Sequence, residues 1–270
     1  MKTYFAACAA SMMLVATAAH ADERIVTGGT GLPSATTWGF IPTENTGTTV
    51  ITGTAPQSGN GSLELRGDRT RFQMGIQYGG QAGATNLMSL SNVTGLAFDW
   101  RIAGDSISGY NPLYTPALRL LVQDGNTRSE LIWEGVYNGT YSSTQRDAWY
   151  SSTFGDNFYQ FVAGAGVTTS GGSQVNKTLS SWISDNYSAN AFVSAISVGD
   201  GSGALPTYHA FADNVRLGTV DGMTTTYNFE LVGSTSAVPE PASWAMMFGG
   251  IGIVGGAARF RRKRTRVAFA

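Results

Sequence analysis

The chain is short of cysteine, lysine, histidine and helical periodicity, and each shortage excludes something. Its one cysteine, Cys8, lies within the first ten residues. Beyond that point no thiol is present for a disulfide, a thiolate metal site or a cysteine nucleophile, so stability must come from packing. There are two histidines, and His20 falls in the segment read below as a leader. His209 is then the sole imidazole open to a Ser-His-Asp arrangement, and no G-x-S-x-G elbow accompanies it. A lone His at the start of a strand reads as structural. No long stretch carries the 3.6-residue apolar period, and only residues 177–187 (KTLSSWISDNY) read as a short helix. No internal repeat is visible, which argues against a propeller or β-helix.

Charge is scarce and unevenly placed. Residues 22–238 hold ten Arg and Lys against seventeen Asp and Glu, a net of −7. Six cations (Arg259, Arg261, Arg262, Lys263, Arg264 and Arg266) then crowd into the tail, so the whole-chain charge of −1 conceals two opposite regions. An acidic body argues against nucleic acid, which selects a basic face. The basic cluster suits a membrane-side position instead.

The two ends carry targeting patterns. At the start, Lys2 supplies a positive region, residues 5–18 an apolar run too short for a good span, and Ala19-His20-Ala21 a small-x-small cleavage site, which predicts cleavage after Ala21 and export. The apolar run follows Cys8 where a lipoprotein box would need it in front, so no lipidation there is expected. Near the other end, residues 241–258 contain no charge. As a helix of ~1.5 Å per residue they reach roughly 27 Å, close to the ~30 Å hydrocarbon core. Arginine directly beyond holds that side cytoplasmic. Gly252 and Gly256 form a GxxxG pair that lets a second helix approach closely. Pro239 and Pro241 bracket Glu240 and cannot lie inside a regular helix, which keeps that stretch extended and open to a processing enzyme.

The run PEPASWAMMFGGIGIVGGAARFRRKR, with Pro239, Glu240, Pro241, Trp244, a Gly-rich apolar stretch and then Arg259, Arg261, Arg262, Lys263 and Arg264, resembles the PEP-CTERM sorting signal of exopolysaccharide-producing Gram-negative bacteria. The resemblance implies export, transient membrane anchoring, processing by an exosortase near Pro239-Glu240-Pro241, and placement at the cell surface or in extracellular matrix. It is silent on the body.

The body is rich in Gly, Ser, Thr and Asn, and its apolar residues alternate. In LAFDWRI (96–102), Leu96, Phe98, Trp100 and Ile102 share one face, while Asp99 and Arg101 share the other. ALRLLVQD (117–124) alternates likewise and ends at Asp124-Gly125-Asn126, a hairpin signal that makes ELIWEGVY (130–137) its partner. Further strands are predicted over 62–66, 71–78, 157–163, 191–199, 209–218 and 224–231. Many short strands with Gly-rich turns predict an all-β, antiparallel, jelly-roll-like β-sandwich. The expected layout is a leader over 1–21, the sandwich over 22–232, a linker over 233–238 and the sorting segment over 239–264. GNGSLELRGD, AISVGDGSG and HAFADNVRLG resemble the first and last strands of jelly-roll modules related to carbohydrate-binding domains.

Candidate chemistry follows from three groups. Sugars stack C–H faces on aromatic rings, and Trp133, Tyr137, Tyr141, Trp149 and Tyr150 fall within eighteen residues among polar neighbours. Trp133 and Trp149 also read as core plugs, while Tyr137 and Tyr141 flank the turn Asn138-Gly139-Thr140 as the exposed pair. Glu130 and Glu134 share strand parity around Trp133, with Asp99 nearby, but such acids are ordinary on an outer face, so no catalytic residue and no cofactor is assigned. Asp213 shares parity with Phe211, Val215 and Leu217, and a buried carboxylate must be paired, hydrogen-bonded or metal-bound. The jelly-roll resemblance implies a structural calcium there. Arg66-Gly67-Asp68 reads as a plain turn. The expectation is a non-enzymatic envelope or matrix protein that contacts exopolysaccharide; a carbohydrate-active hydrolase on the same scaffold and a passive matrix component remain the alternatives.

Overall fold

The computed structural model describes residues 21–29, 31–41, 46–77 and 83–233. The chain divides into two compact units, residues 1–234 and 235–270. The leader through residue 20, the apolar run 241–258 and every residue of the sorting signal lie outside the described residues. Among the described residues no helix is long and apolar enough to cross a membrane.

In chain order the strands are β1 (Ala21–Thr27), β2 (Trp38–Phe40), β3 (Thr48–Thr52), β4 (Ser62–Arg66), β5 (Arg71–Gly75), β6 (Met88–Ser89), β7 (Val93–Ile102), β8 (Ala117–Asp124) and β9 (Thr127–Trp133). They continue with β10 (Trp149–Ser151), β11 (Asn157–Val162), β12 (Gly166–Val167), β13 (Thr169–Ser170), β14 (Ser173–Gln174), β15 (Asn176–Thr178), β16 (Phe192–Gly199), β17 (His209–Thr219) and β18 (Thr224–Glu230). The helix α1 (Leu179–Asn186) lies between β15 and β16.

The first sheet is organised by β17, which pairs with β7 along one edge. Its other edge takes β4 against His209–Ala212 and then β18 against Val215–Gly218. The second sheet runs β11-β9-β8-β16-β5-β2, with β12 and β15 on the β11 edge. Eight strands divide into β4-β17-β7-β10 of the first sheet and β5-β16-β8-β9 of the second, and the chain changes sheet between successive members except at the β8–β9 hairpin. All of these pairs are antiparallel, but β1 lies parallel to β18, so the sheet as a whole is mixed.

Alternation places the core. Leu96, Phe98, Trp100 and Ile102 of β7 meet Leu118, Leu120 and Val122 of β8 and Leu131 and Trp133 of β9, all buried. Phe98 sets its ring edge-on to Trp133 at 5.2 Å, the geometry that aligns ring edge with ring face. Burying side chains of this size contributes about 1.5–3 kcal/mol each. Helix α1 closes one margin: Thr178 caps it by accepting the Ser181 N–H, Leu179 and Trp182 are buried, and the Trp182 indole N–H donates to the Phe158 carbonyl at 2.7 Å.

The β8–β9 hairpin turns at Gly125-Asn126, where Gly125 takes φ +56°. Two predicted strands are shorter than expected. Residues 130–137 leave the strand at Trp133 and enter a 3-10 turn, Gly135–Asn138. Residues 71–78 stop at Gly75, whose φ of +89° breaks the extended path. A third difference concerns β17: Asn214 has φ +47°, and pairing with β7 jumps from Asp213↔Asp99 to Arg216↔Ala97. This bulge reverses the alternation. Ala212, Val215 and Leu217 face the main core, whereas Phe211 packs on the other side with Ala55 and Ala103. The predicted parity of Asp213 with Val215 and Leu217 is thereby corrected; Asp213 stays on the Phe211 side.

Candidate functional site: a groove on the outer face of the second sheet

The residues of β8 and β9 that do not enter the core point to the opposite face of the second sheet. There Arg119 of β8 and Glu130 and Ile132 of β9 form the wall of a hollow of about 670 Å³, joined by Arg69, Arg71, Arg128, Asp200 and Phe161. A second hollow of about 570 Å³ shares Glu134, Tyr159, Gly201 and Ser202 with it and adds Tyr110, Tyr114, Tyr137 and Tyr141. The two form one groove with a charged end and an aromatic end.

Its charged end is built on cross-strand neighbours. Glu130 lies diagonal to Arg119 across the β8–β9 ladder. Arg71 approaches both Glu130 oxygens at 3.4 Å, and the Gln77 amide donates to Oε1 at 3.3 Å. Burial pushes the Glu130 carboxyl upward, but the charges of Arg71 and Arg119 outweigh it and hold the group below its ordinary range. Arg119 is 4% exposed and comes no closer to Glu130 than 3.8 Å from Nε, an ion pair without a hydrogen bond. Its Nε and Nη1 have no hydrogen-bond partner in the protein. Ser197 faces Arg119 on one side and Gln73 on the other, and the Ser197 hydroxyl and Gln73 Oε1 are likewise buried and unpartnered.

Further along, burial pushes the Glu134 carboxyl up, against a hydrogen bond of 3.0 Å that the Tyr159 hydroxyl donates to it. Asp200 is pushed up to about 6 by burial, although Thr70 and the Arg69 N–H donate to it. At the aromatic end, Tyr110 is 63% exposed and sits 5.3 Å from Tyr114, and Tyr137 meets Tyr159 edge-on at 5.3 Å. Tyr137 and Tyr141 are half-buried, and burial pushes the Tyr141 phenol up to about 12.

The predicted aromatic platform is divided by the fold. Tyr137 and Tyr141 do line the groove. Trp149 and Tyr150 do not, and their assignment to the platform is corrected: both belong to β10, in the first sheet. Tyr150 stacks on Trp100 at 4.9 Å, and Trp149 packs beside Phe211 and Ala103. Trp133 is core, with its indole N–H donating to Asp156 at 2.8 Å. Glu130 and Glu134, expected as ordinary outer-face acids, are instead part of the groove. Arg119, Arg71, Tyr110, Tyr114 and Tyr159 were not singled out from the sequence. The one signal for Arg119 was its place as an outward residue inside the otherwise apolar ALRLLV.

On the first sheet, Asp213 spends its carboxylate on backbone donors: Asn214 N–H at 2.8 Å, Phe229 N–H at 2.9 Å and Ser58 N–H at 3.3 Å. Donors turned toward both oxygens are the wrong surroundings for calcium, and among the described residues no three His, Cys, Asp or Glu gather as a metal site. The calcium expected at Asp213 is replaced by these hydrogen bonds. Burial pushes this carboxyl up to about 7 in spite of the three donors. His209 is buried between Asp105, 2.5 Å from Nδ1, and Glu64, 3.1 Å from Nε2. Arg66-Gly67-Asp68 is a turn in which Gly67 has φ +90° and Asp68 accepts the N–H groups of Gly203 and Ala204.

Residues 237–263 match the PEP-CTERM protein-sorting motif. This sorting segment marks the protein for export, transient membrane anchoring, exosortase processing, and then the cell surface or extracellular space. The match leaves the sandwich unassigned. No curated protein matches the chain.

Proposed function

We propose that this exported protein is non-enzymatic and holds a polysaccharide, such as the exopolysaccharide of its own cell surface, in the groove over the second sheet. The observation that carries the reading is the aromatic end, where Tyr110, Tyr114, Tyr137, Tyr141 and Tyr159 line one hollow beside amide and carboxylate groups. Rings supply the stacking faces and polar groups fix sugar orientation. The likeness of the end strands to carbohydrate-binding modules points the same way, although a shared fold does not specify an activity. Glu130 weighs against catalysis, because both of its oxygens are engaged by Arg71 and Gln77.

The test is affinity of the full chain for the producing organism's exopolysaccharide and for neutral glucans, with Tyr137→Ala/Tyr141→Ala beside it. Binding that falls about tenfold in the double variant supports the reading, since aromatic contacts contribute on the order of 1 kcal/mol each. Absence of binding to every polymer overturns it in favour of a passive matrix component. One observation favours a hydrolase as second reading: Glu130 is held ionised while Glu134 is pushed toward its neutral form, the division of roles an acid and a base require. Release of reducing ends from those polymers, lost in Glu134→Gln, would decide for it.

A further inference from the structure

We infer that the charged end of the groove is an oxyanion subsite, in which Arg119 hydrogen-bonds the carboxylate or sulfate of an acidic sugar unit. The inference rests on the polysaccharide reading and narrows it from sugars in general to acidic polysaccharides. A guanidinium is costly to desolvate, and interiors retain one only where its donors are met. At 4% exposure Arg119 is almost fully withdrawn from the surface, yet Nε and Nη1 find no acceptor in the protein. The carboxylate paired with it, Glu130, stands 3.8 Å away and is turned to Arg71 and Gln77. A carboxylate that served only to neutralise Arg119 would close that gap to hydrogen-bond length, ~2.8 Å. Arg119 lines the hollow itself, with Nε and Nη1 buried just behind its surface.

The surroundings fit an acidic saccharide better than a neutral one. Arg69, Arg71 and Arg128 line the same hollow with Arg119, against the carboxyl groups of Glu130, Glu134 and Asp200, the last two pushed toward their neutral forms by burial. The body as a whole is acidic, but ~8 Å of physiological screening separates that distant charge from contacts made inside the groove. The tyrosine end then takes the adjoining sugar units. One chain of alternating chemistry, acidic group and stacking face, fills the groove.

The experiment compares the full chain on three soluble polymers at fixed ionic strength: polygalacturonate for carboxylate, dextran sulfate for sulfate, and dextran as the neutral control. Variants are Arg119→Gln, Arg119→Lys and, as a control that removes one exposed charge, Arg24→Gln, with melting curves on each. The expected result is at least tenfold tighter binding to one polyanion than to dextran, a preference that Arg119→Gln abolishes while keeping dextran-level binding, as loss of charge-assisted hydrogen bonds would do. The polymer preferred names the source of the oxyanion. Arg119→Lys should retain part of the preference and covers the case in which the glutamine variant does not fold. Equal binding to all three polymers, or a preference that Arg24→Gln removes as fully as Arg119→Gln, overturns the subsite and leaves the polysaccharide reading intact. No binding to any polymer overturns both.

Discussion

On the outer side of the first sheet, residues 53–61 lie against β17 and β18, and the acids there are occupied. Asp213 accepts three backbone N–H groups, Glu230 accepts the Asn60 N–H at 2.6 Å, and Glu64 accepts the hydroxyls of Thr52 and Thr54. On the outer side of the second sheet the row Gln73, Ser197, Arg119 is just as buried but keeps acceptors and donors unspent, and its Arg119 end lines the groove. The two faces carry similar residue types at similar depth. The acids of the first sheet have their hydrogen bonds completed by the protein, although Arg101 Nε, Trp149 Nε1 and Asn228 Oδ1 there are unmet, whereas the second sheet gathers unmet groups in one row beside a groove.

Four measurements break or sharpen this contrast. The largest effect lies between the faces: Trp133→Ala removes a fully buried indole and its bond to Asp156, and urea unfolding should show a loss of ~3 to 5 kcal/mol. If the loss is under 1 kcal/mol, the core assignment is wrong.

Next comes the pH profile. Asp213 and Asp200 titrate at about 7 and about 6 in the folded chain, above their unfolded values. The folded state therefore binds more protons between roughly pH 4 and 7, and stability falls as pH rises through that window. Glu64, Glu130 and Asp105 are shifted the other way. Their contribution is complete above the unfolded pKa and is lost as pH drops below ~4.5. The melting temperature should accordingly peak near pH 5, and Asp213→Asn should flatten the neutral limb. A maximum at pH 8 contradicts the assignment.

A smaller effect distinguishes the groove. Arg119→Met breaks no hydrogen bond, and Arg71 remains on Glu130, so stability should change by less than about 1 kcal/mol in either direction. A loss above 3 kcal/mol would place Arg119 among the structural residues. The smallest change is expected for Tyr137→Phe and Tyr141→Phe, within ~0.5 kcal/mol by thermal melting, because both side chains are half-buried at the rim.

The strands were legible where alternation is unbroken: residues 117–124 form β8 as predicted, and β4 likewise spans 62–66. Alternation also told which side chains leave the core, but "outward" has two meanings in a sandwich, open water and a sheltered groove, and Arg119, Glu130 and Glu134 fall in the second. Proximity along the chain misled for the aromatics. Between Trp133 and Trp149 the path crosses from one sheet to the other, so a tight cluster in sequence scatters to the core, the groove and the far face. Tyr110 and Tyr114 arrive from a loop whose neighbours gave no periodic signal. At Asp213, one residue with positive φ after it was enough to reverse the predicted side.

The parallel pairing of β1 with β18 has a temporal consequence. Ile25 lies opposite Asn228, and Asn228 donates to Glu23 at 2.9 Å, so the first strand of the domain is completed by the last. A chain that crosses a membrane from its N-terminus delivers β1 first and its partner after some 200 further residues have followed. Closing so long a loop is entropically slow, and contacts of such sequence separation form late. The sheet edge thus stays open through most of translocation. It can seal only once β18, which ends at Glu230, is available, a few residues before the sorting motif begins at residue 237.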